Sequence, residues 1–269
     1  MTLLKYIILG IIQGITEPLP ISSSGHIFIL KHLFNTSIFN DLNFEIFLNF
    51  ASFIAIFIIF YKDIIKLING FFKYIINKDK KYFNEFKYSL MIIIGSIPVG
   101  IAGILFKDAI EIFLNRIWIV GITFIITGIC LIIVKNINGK KSDNDIGCKE
   151  AIIIGLFQMI ALLPGLSRSG MTLVGCLLMK LNRESSLKYT FMLYMPVSIA
   201  TFILGVKDVI EVGISSNMLI YYIIGMIASG IFTLLTYKVF SEFVKKGKLW
   251  KFSIYLFIVG ILVLGLYLI

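Results

Sequence analysis

Histidine, cysteine and acidic residues are all scarce in this 269-residue chain. Two histidines, His26 and His32, are too few for a zinc centre built from several imidazoles. Three cysteines, Cys130, Cys148 and Cys176, contain no CxxC pair and leave no even set for a disulfide framework. Charge is thin as well: 15% of residues are charged, against the ~25% of soluble domains, while 58% are hydrophobic. A soluble globular domain is therefore excluded. No small-residue cleavage site follows the apolar MTLLKYIILG start, so this first segment is expected to stay in the protein.

What the chain has instead is long apolar runs. Six stretches, at 46–61, 89–106, 117–134, 189–206, 218–237 and 252–269, come close to the ~20 residues that cross ~30 Å of hydrocarbon. They read as the full spans of a multi-pass membrane protein. The net charge of +10 raises the question of nucleic acid, but 19 of the 25 Lys and Arg residues fall within 62–88, 135–149, 180–188 and 238–251. If these four segments share the cytoplasmic side, the positive-inside rule is met and the basic excess faces anionic membrane lipid. Nucleic acid drops out as a partner.

The chain also repeats itself. GIIQ at 10–13 matches GLFQ at 155–158, and SSSG at 22–25 matches SRSG at 167–170, both at an offset of 145. Three spans follow each copy, and three is odd, so the second copy lies upside down relative to the first. The apolar arms of about 11 residues beside each polar break reach only ~16 Å, too short to span. Segments 3–33 and 150–180 are thus predicted as re-entrant helix hairpins. The expected fold is all-α, an inverted repeat of halves 1–138 and 139–269, each a re-entrant hairpin plus three transmembrane helices, together forming one membrane domain. Residues 62–88 are expected in the cytoplasm and 107–116 outside.

Two polar stretches interrupt the grease: QGITEPLPISSSGH at 13–26 and PGLSRSGMT at 164–172. Pro18 and Pro20 break the first, Pro164 and Gly165 the second. Non-helical backbone at membrane depth must line protein or a watery cavity, and ionisable groups there are functional candidates, here Glu17, His26 and Arg168. Ser22, Ser23, Ser24, Ser167, Ser169 and Thr172 supply hydroxyls, while Gly25 and Gly170 let backbone approach. Each serine cluster opens a helix, and helix N–H groups with an arginine fork suit an oxyanion such as phosphate. Glu17 could hold a divalent metal or act as a base, and His26 could pass a proton. Mg²⁺ needs only one or two carboxylates beside phosphate. Lys31 and His32 read as interfacial residues. Glu45 and Asn49, at i and i+4, either face the cavity or sit at the interface. The serine runs can equally be plain helix caps. A transporter or lipid flippase would carry the same topology as a hydrolase. An intramembrane serine protease is a poorer fit, because it leaves Arg168 without a task.

On these two stretches the chain resembles the undecaprenyl-diphosphate phosphatase family, associated with bacitracin resistance in bacteria, over nearly its whole length. The resemblance implies a hydrolase of the bacterial cell membrane, with its active site opening to the outer face. Its substrate would be the C55 prenyl diphosphate, undecaprenyl diphosphate, and its product the monophosphate carrier for peptidoglycan and other envelope polymers. A divalent metal, Mg²⁺ or Ca²⁺, is implied, and a homodimer is left open. Position by position, Glu17 becomes metal ligand or base, Ser23 the nucleophile, His26 the acid/base and Arg168 the diphosphate clamp. Gln13, Ser22, Ser24, Gly25, Ser167, Ser169, Gly170 and Thr172 become substrate-binding positions. Many members have glutamate where this chain has Gln13, and usually glutamine where it has Asn49. Another lipid-phosphatase family with an SGH run needs a histidine downstream of its Ser-Arg pair, and none follows Arg168.

Overall fold

Within hydrocarbon each backbone N–H must find its partner in the protein, and the apolar runs of this chain do so as helices. The structure, a computed structural model, describes residues 2–34, 42–106, 116–212 and 216–268. The helices are α1 (Thr2–Thr16), α2 (Ser23–Phe34), α3 (Leu42–Asn77), α4 (Phe83–Leu105), α5 (Ile117–Val134), α6 (Cys148–Ile160), α7 (Arg168–Leu178), α8 (Arg183–Val212), α9 (Ser216–Lys245) and α10 (Trp250–Leu268). Among the described residues, six of these helices are long and apolar enough to cross a membrane: α3, α4, α5, α8, α9 and α10. The six expected spans fall on them, the second running one residue past α4 at Phe106 and the sixth ending at 269, outside the described residues.

The ends differ from expectation. Helix α3 runs on past the expected span to Asn77 and α4 begins at Phe83, so most of the lysine-bearing 62–88 segment is helical. In KDIIKLINGFFKYIIN the lysines alternate with apolar residues and no proline intervenes. Lysine stems can lie along apolar surface while their heads reach water, so the helix is not interrupted. At ~1.5 Å per residue the 36 residues of α3 extend about 54 Å, well beyond the hydrocarbon thickness. The expected loop at 107–116 lies outside the described residues except for Arg116.

The perimeter is apolar. On α4, Ile93, Ile97, Ile101 and Ile104 are 50–77% exposed, while Met91, Gly95, Val99 and Ala102 on the other face are buried. Helix α9 carries a similar stripe at Ile220, Ile223, Ile227, Ile231 and Leu235. An aqueous surface would not tolerate such stripes, whereas lipid does.

Packing pairs the helices across the chain: α1 with α9, α6 with α4, α3 with α8, and α5 with α10. Small residues permit it. A Cβ on Gly10 would run into the carbonyl of Gly225, and one on Gly155 into that of Gly95. At the α5–α10 crossing, a Cβ on Gly121 would lie 3.0 Å from the Gly260 carbonyl oxygen, and one on Gly260 would lie 2.8 Å from that of Gly121. At the lysine-rich end Arg183 ties three segments together through Asn138 Oδ1 and the carbonyls of Lys135 and Val244. Nearer the centre, Tyr189 donates to the Met91 carbonyl at 2.7 Å.

Candidate active site

Both breaks end in a serine that caps the next helix. Ser22 Oγ accepts from the Gly25 N–H at 3.2 Å, and Ser167 Oγ accepts from the Gly170 N–H at 3.1 Å. Each capping serine also meets the serine two positions on, Ser24 at 3.3 Å and Ser169 at 3.2 Å. The turns that deliver them are tight: Ser22 has φ 67°, and Gly165, under Thr123, has φ 84°. A side chain at Gly165 would be strained by that φ and would strike the Thr123 hydroxyl.

The two breaks interlock. Ser169 Oγ donates to the Leu19 carbonyl at 3.0 Å, and Thr123 Oγ1 reaches the Pro164 carbonyl at 2.9 Å. A Cβ on Gly25 would strike the Phe124 ring of α5 and lie 3.2 Å from Gly165 Cα, and one on Gly170 would lie 3.1 Å from Pro20 Cβ. These glycines serve close approach between the breaks.

Between the breaks lies a cavity of about 200 Å³, lined by Glu17, Ser22, Ser23, Ser24, Asn49, Ala161, Leu162, Leu166, Ser167, Arg168, Ser169 and Tyr194. Glu17 is its hub. One carboxylate oxygen, Oε1, accepts from Arg168 Nη2 at 2.7 Å. The other, Oε2, accepts from Gln13 Nε2 at 3.0 Å and from the Ser23 hydroxyl. Gln13 also donates to Asn49 Oδ1 at 2.8 Å, so the amide fixes both neighbours. The Arg168 guanidinium lies over the Tyr194 ring, 4.5 Å from its centroid. With 7% of its side chain exposed, Glu17 depends on these donors.

Seven expected site residues therefore line one cavity: Glu17, Ser22, Ser23, Ser24, Ser167, Arg168 and Ser169. Gln13 stands one step behind, and Gly25 and Gly170 pack the tips together. Thr172 and His26, like these three, are not among the residues lining the cavity. Thr172 donates back to the Arg168 carbonyl at 2.8 Å within its own helix. His26 has both ring nitrogens engaged, Nδ1 with the Ser22 carbonyl at 2.7 Å and Nε2 with the Tyr255 hydroxyl at 2.6 Å. A carbonyl only accepts, so Nδ1 carries a proton, and in the neutral ring Nε2 accepts from Tyr255. Asn49 does face the cavity. His32 is exposed, whereas the Lys31 side chain lies outside the described residues.

Tyr194 was not foreseen, although a signal existed, since it stands 145 residues after Asn49. Tyr255 offered none. Among the described residues no group of three or more His, Cys, Asp or Glu could hold a metal ion. The donors at hand are all oxygens, one carboxylate with hydroxyls and an amide carbonyl, which suits a hard divalent cation that takes its other ligands from phosphate.

A multi-span helical bundle of this kind is a membrane protein, and its cavity brings together a carboxylate, a guanidinium and two serine-capped helix N-termini. The family is then a matter of comparison. The chain belongs to the family described as bacitracin resistance protein BacA, whose model matches residues 6–262. Undecaprenyl-diphosphatase 2 of Bacillus thuringiensis is 40% identical over 262 residues, 97% of this chain and 97% of that protein. Undecaprenyl-diphosphatase 1 of Bacillus licheniformis is 38% identical over 265 residues, 98% of each chain. The undecaprenyl-diphosphatase of Oceanobacillus iheyensis is 39% identical over 265 residues, 98% of this chain and 96% of that protein.

Proposed function

We propose that this chain is an undecaprenyl-diphosphatase of the bacterial cell membrane, hydrolysing a prenyl diphosphate to prenyl monophosphate and inorganic phosphate. The observation that carries the reading is the Ser23 hydroxyl donating to Glu17 while Arg168 holds the carboxylate's other oxygen. A nucleophile, its base and a phosphate clamp thus meet in one cavity. The relatives' names give the substrate class.

The two phosphoryl groups sit one at each serine-capped helix N-terminus, α2 and α7, with Arg168 turned to their oxygens. Glu17 takes the Ser23 proton as Oγ attacks the terminal phosphorus. The bond to the bridging oxygen breaks, and its electron pair leaves with the prenyl monophosphate. Water then hydrolyses the phosphoserine, releasing phosphate and restoring the Ser23 proton. A phosphate monoester anion is a good leaving group, so no acid is needed at the bridging oxygen. The contacts of His26 suit a different task, bracing the strained Ser22 turn.

A divalent cation, Mg²⁺ or Ca²⁺, belongs to the proposal: Glu17 and the Ser22 and Ser23 hydroxyls would hold it beside the phosphate oxygens, where it would neutralise developing charge. The topology belongs to it too, as an inverted repeat of 1–138 and 139–269 with re-entrant hairpins at 3–33 and 150–180. Support comes from the matched pairings α1–α9 and α6–α4, the reciprocal Gly121–Gly260 crossing and the twin serine caps. With the lysine-rich segments inside, the cavity opens to the outer face. A flippase is not favoured, because transport gives the Ser23–Glu17 pair no work.

Phosphate release from undecaprenyl diphosphate by purified protein with Mg²⁺ tests the reading. Glu17→Ala and Arg168→Ala are expected to abolish it, and a phosphorylated Ser23 to be trappable. Normal turnover in both variants would sink the proposal, while normal turnover in Ser23→Ala alone would transfer the attack to water.

A further inference from the structure

Tyr194 lines the cavity from α8, outside both polar motifs. Its ring lies beneath Arg168, and its side chain is 5% exposed. Its hydroxyl lies beside the Glu17 carboxylate and the Ser198 hydroxyl one turn on, yet completes a hydrogen bond to neither. A buried hydroxyl without a partner costs stability, and phenylalanine would fill the same space without that cost. The hydroxyl therefore calls for a reason beyond packing.

The reason lies in what Arg168 must do, given the phosphatase reading. At rest, its Nη2 satisfies Glu17 Oε1. A diphosphate entering the cavity competes for the same guanidinium, and whatever Arg168 gives to phosphate it takes from Glu17. The carboxylate, nearly buried, would then lack a donor on Oε1 at the moment it must be fixed to receive the Ser23 proton. Asn49, 145 residues earlier, already serves Glu17 from the other side by anchoring Gln13. We propose that Tyr194 is a positioning residue, whose ring steadies the Arg168 guanidinium and whose hydroxyl takes over Glu17 Oε1 when Arg168 turns to the diphosphate. Substrate binding then exchanges one donor on Glu17 for another.

Full-length Tyr194→Phe and Tyr194→Leu proteins, purified in detergent, are assayed for kcat, KM and thermal midpoint on undecaprenyl diphosphate. Tyr194→Phe keeps the ring and loses the hydroxyl. Its kcat is expected to fall about tenfold or more, the worth of a hydrogen bond to a charged group. KM stays near that of the parent, and the thermal midpoint is unchanged or raised, because only an unpartnered hydroxyl is lost. Tyr194→Leu should in addition raise KM several-fold, as the guanidinium loses the ring beneath it. Parent-like kcat in Tyr194→Phe overturns the proposal, as does a kcat loss that tracks a lowered midpoint. Equal KM in the two variants overturns the role of the ring. If the parent protein releases no phosphate, the phosphatase reading itself has failed and the role of Tyr194 falls with it; parent turnover with an unaffected Tyr194→Phe sinks the Tyr194 role alone.

Discussion

Removing Arg168 should cost stability as well as activity, and most of that cost should be recoverable without restoring activity. The pair is close, Nη2 to Oε1 at 2.7 Å, with side-chain exposures of 25% for Arg168 and 7% for Glu17. Breaking a buried pair by deleting one partner costs ~3–5 kcal/mol, because the other charge is left uncompensated. The partial exposure of Arg168 to the cavity reduces this to roughly 2–3 kcal/mol. At about 2–4 °C per kcal/mol for a chain of this size, Arg168→Ala should lower the thermal midpoint by roughly 5–10 °C. Glu17→Gln should cost less, since the stranded guanidinium is the more exposed partner and keeps Tyr194. The double variant Glu17→Gln/Arg168→Met removes both charges and retains an apolar stem over the ring. It should return to within about 1 kcal/mol of the parent, as neutral replacements of buried pairs do. All three variants should be inactive. The assay is thermal unfolding in one detergent at one scan rate, because unfolding of a membrane protein need not be reversible. A double variant no more stable than Arg168→Ala would refute the reasoning, since the loss would then not arise from an unpaired Glu17.

Two further outcomes follow from packing and from the carboxylate count. Gly10→Ala and Gly155→Ala each push a Cβ into a neighbouring helix backbone, and overpacking of this kind costs ~1–3 kcal/mol. Both should lower the thermal midpoint by similar amounts, whereas Gly100→Ala, with nothing within 4 Å of its Cβ, should leave it unchanged or raise it. Gln13→Glu deletes the amide that donates to Glu17 and Asn49 and sets a second carboxylate beside the first. Without a divalent cation the variant should be less stable than the parent, and the Mg²⁺ concentration for half-maximal turnover should fall. An unchanged half-saturation point in the metal titration would argue against a cation at Glu17.

The six span cores were legible because hydrocarbon imposes a simple test, about 20 apolar residues in a row, that leaves its mark directly on composition. The full length of their helices was not, because the lysines of KDIIKLINGFFKYIIN end the apolar run while still accommodating a helix by reaching water from its side. At the site, motif and offset found the elements but not the direction of each side chain. Thr172 and His26 lie in the same short stretches as the cavity residues, yet Thr172 bonds back one helical turn to Arg168 and His26 reaches Tyr255. The offset itself held more than the motifs. Ser22 and Ser167 stand at that offset and cap their helices alike, each also meeting the serine two positions on, Ser24 and Ser169. Ser23 and Arg168 stand at it too, yet are chemically opposed, and both reach the same carboxylate. A cavity with serine at both positions would have two hydroxyls and no cation for phosphate, and one with arginine at both would have charge without a nucleophile. In the proposed mechanism the asymmetry at this one position supplies both the nucleophile and the phosphate clamp. By the same logic the next unequal pair, Asn49 and Tyr194, is where roles beyond the serine motifs are to be sought.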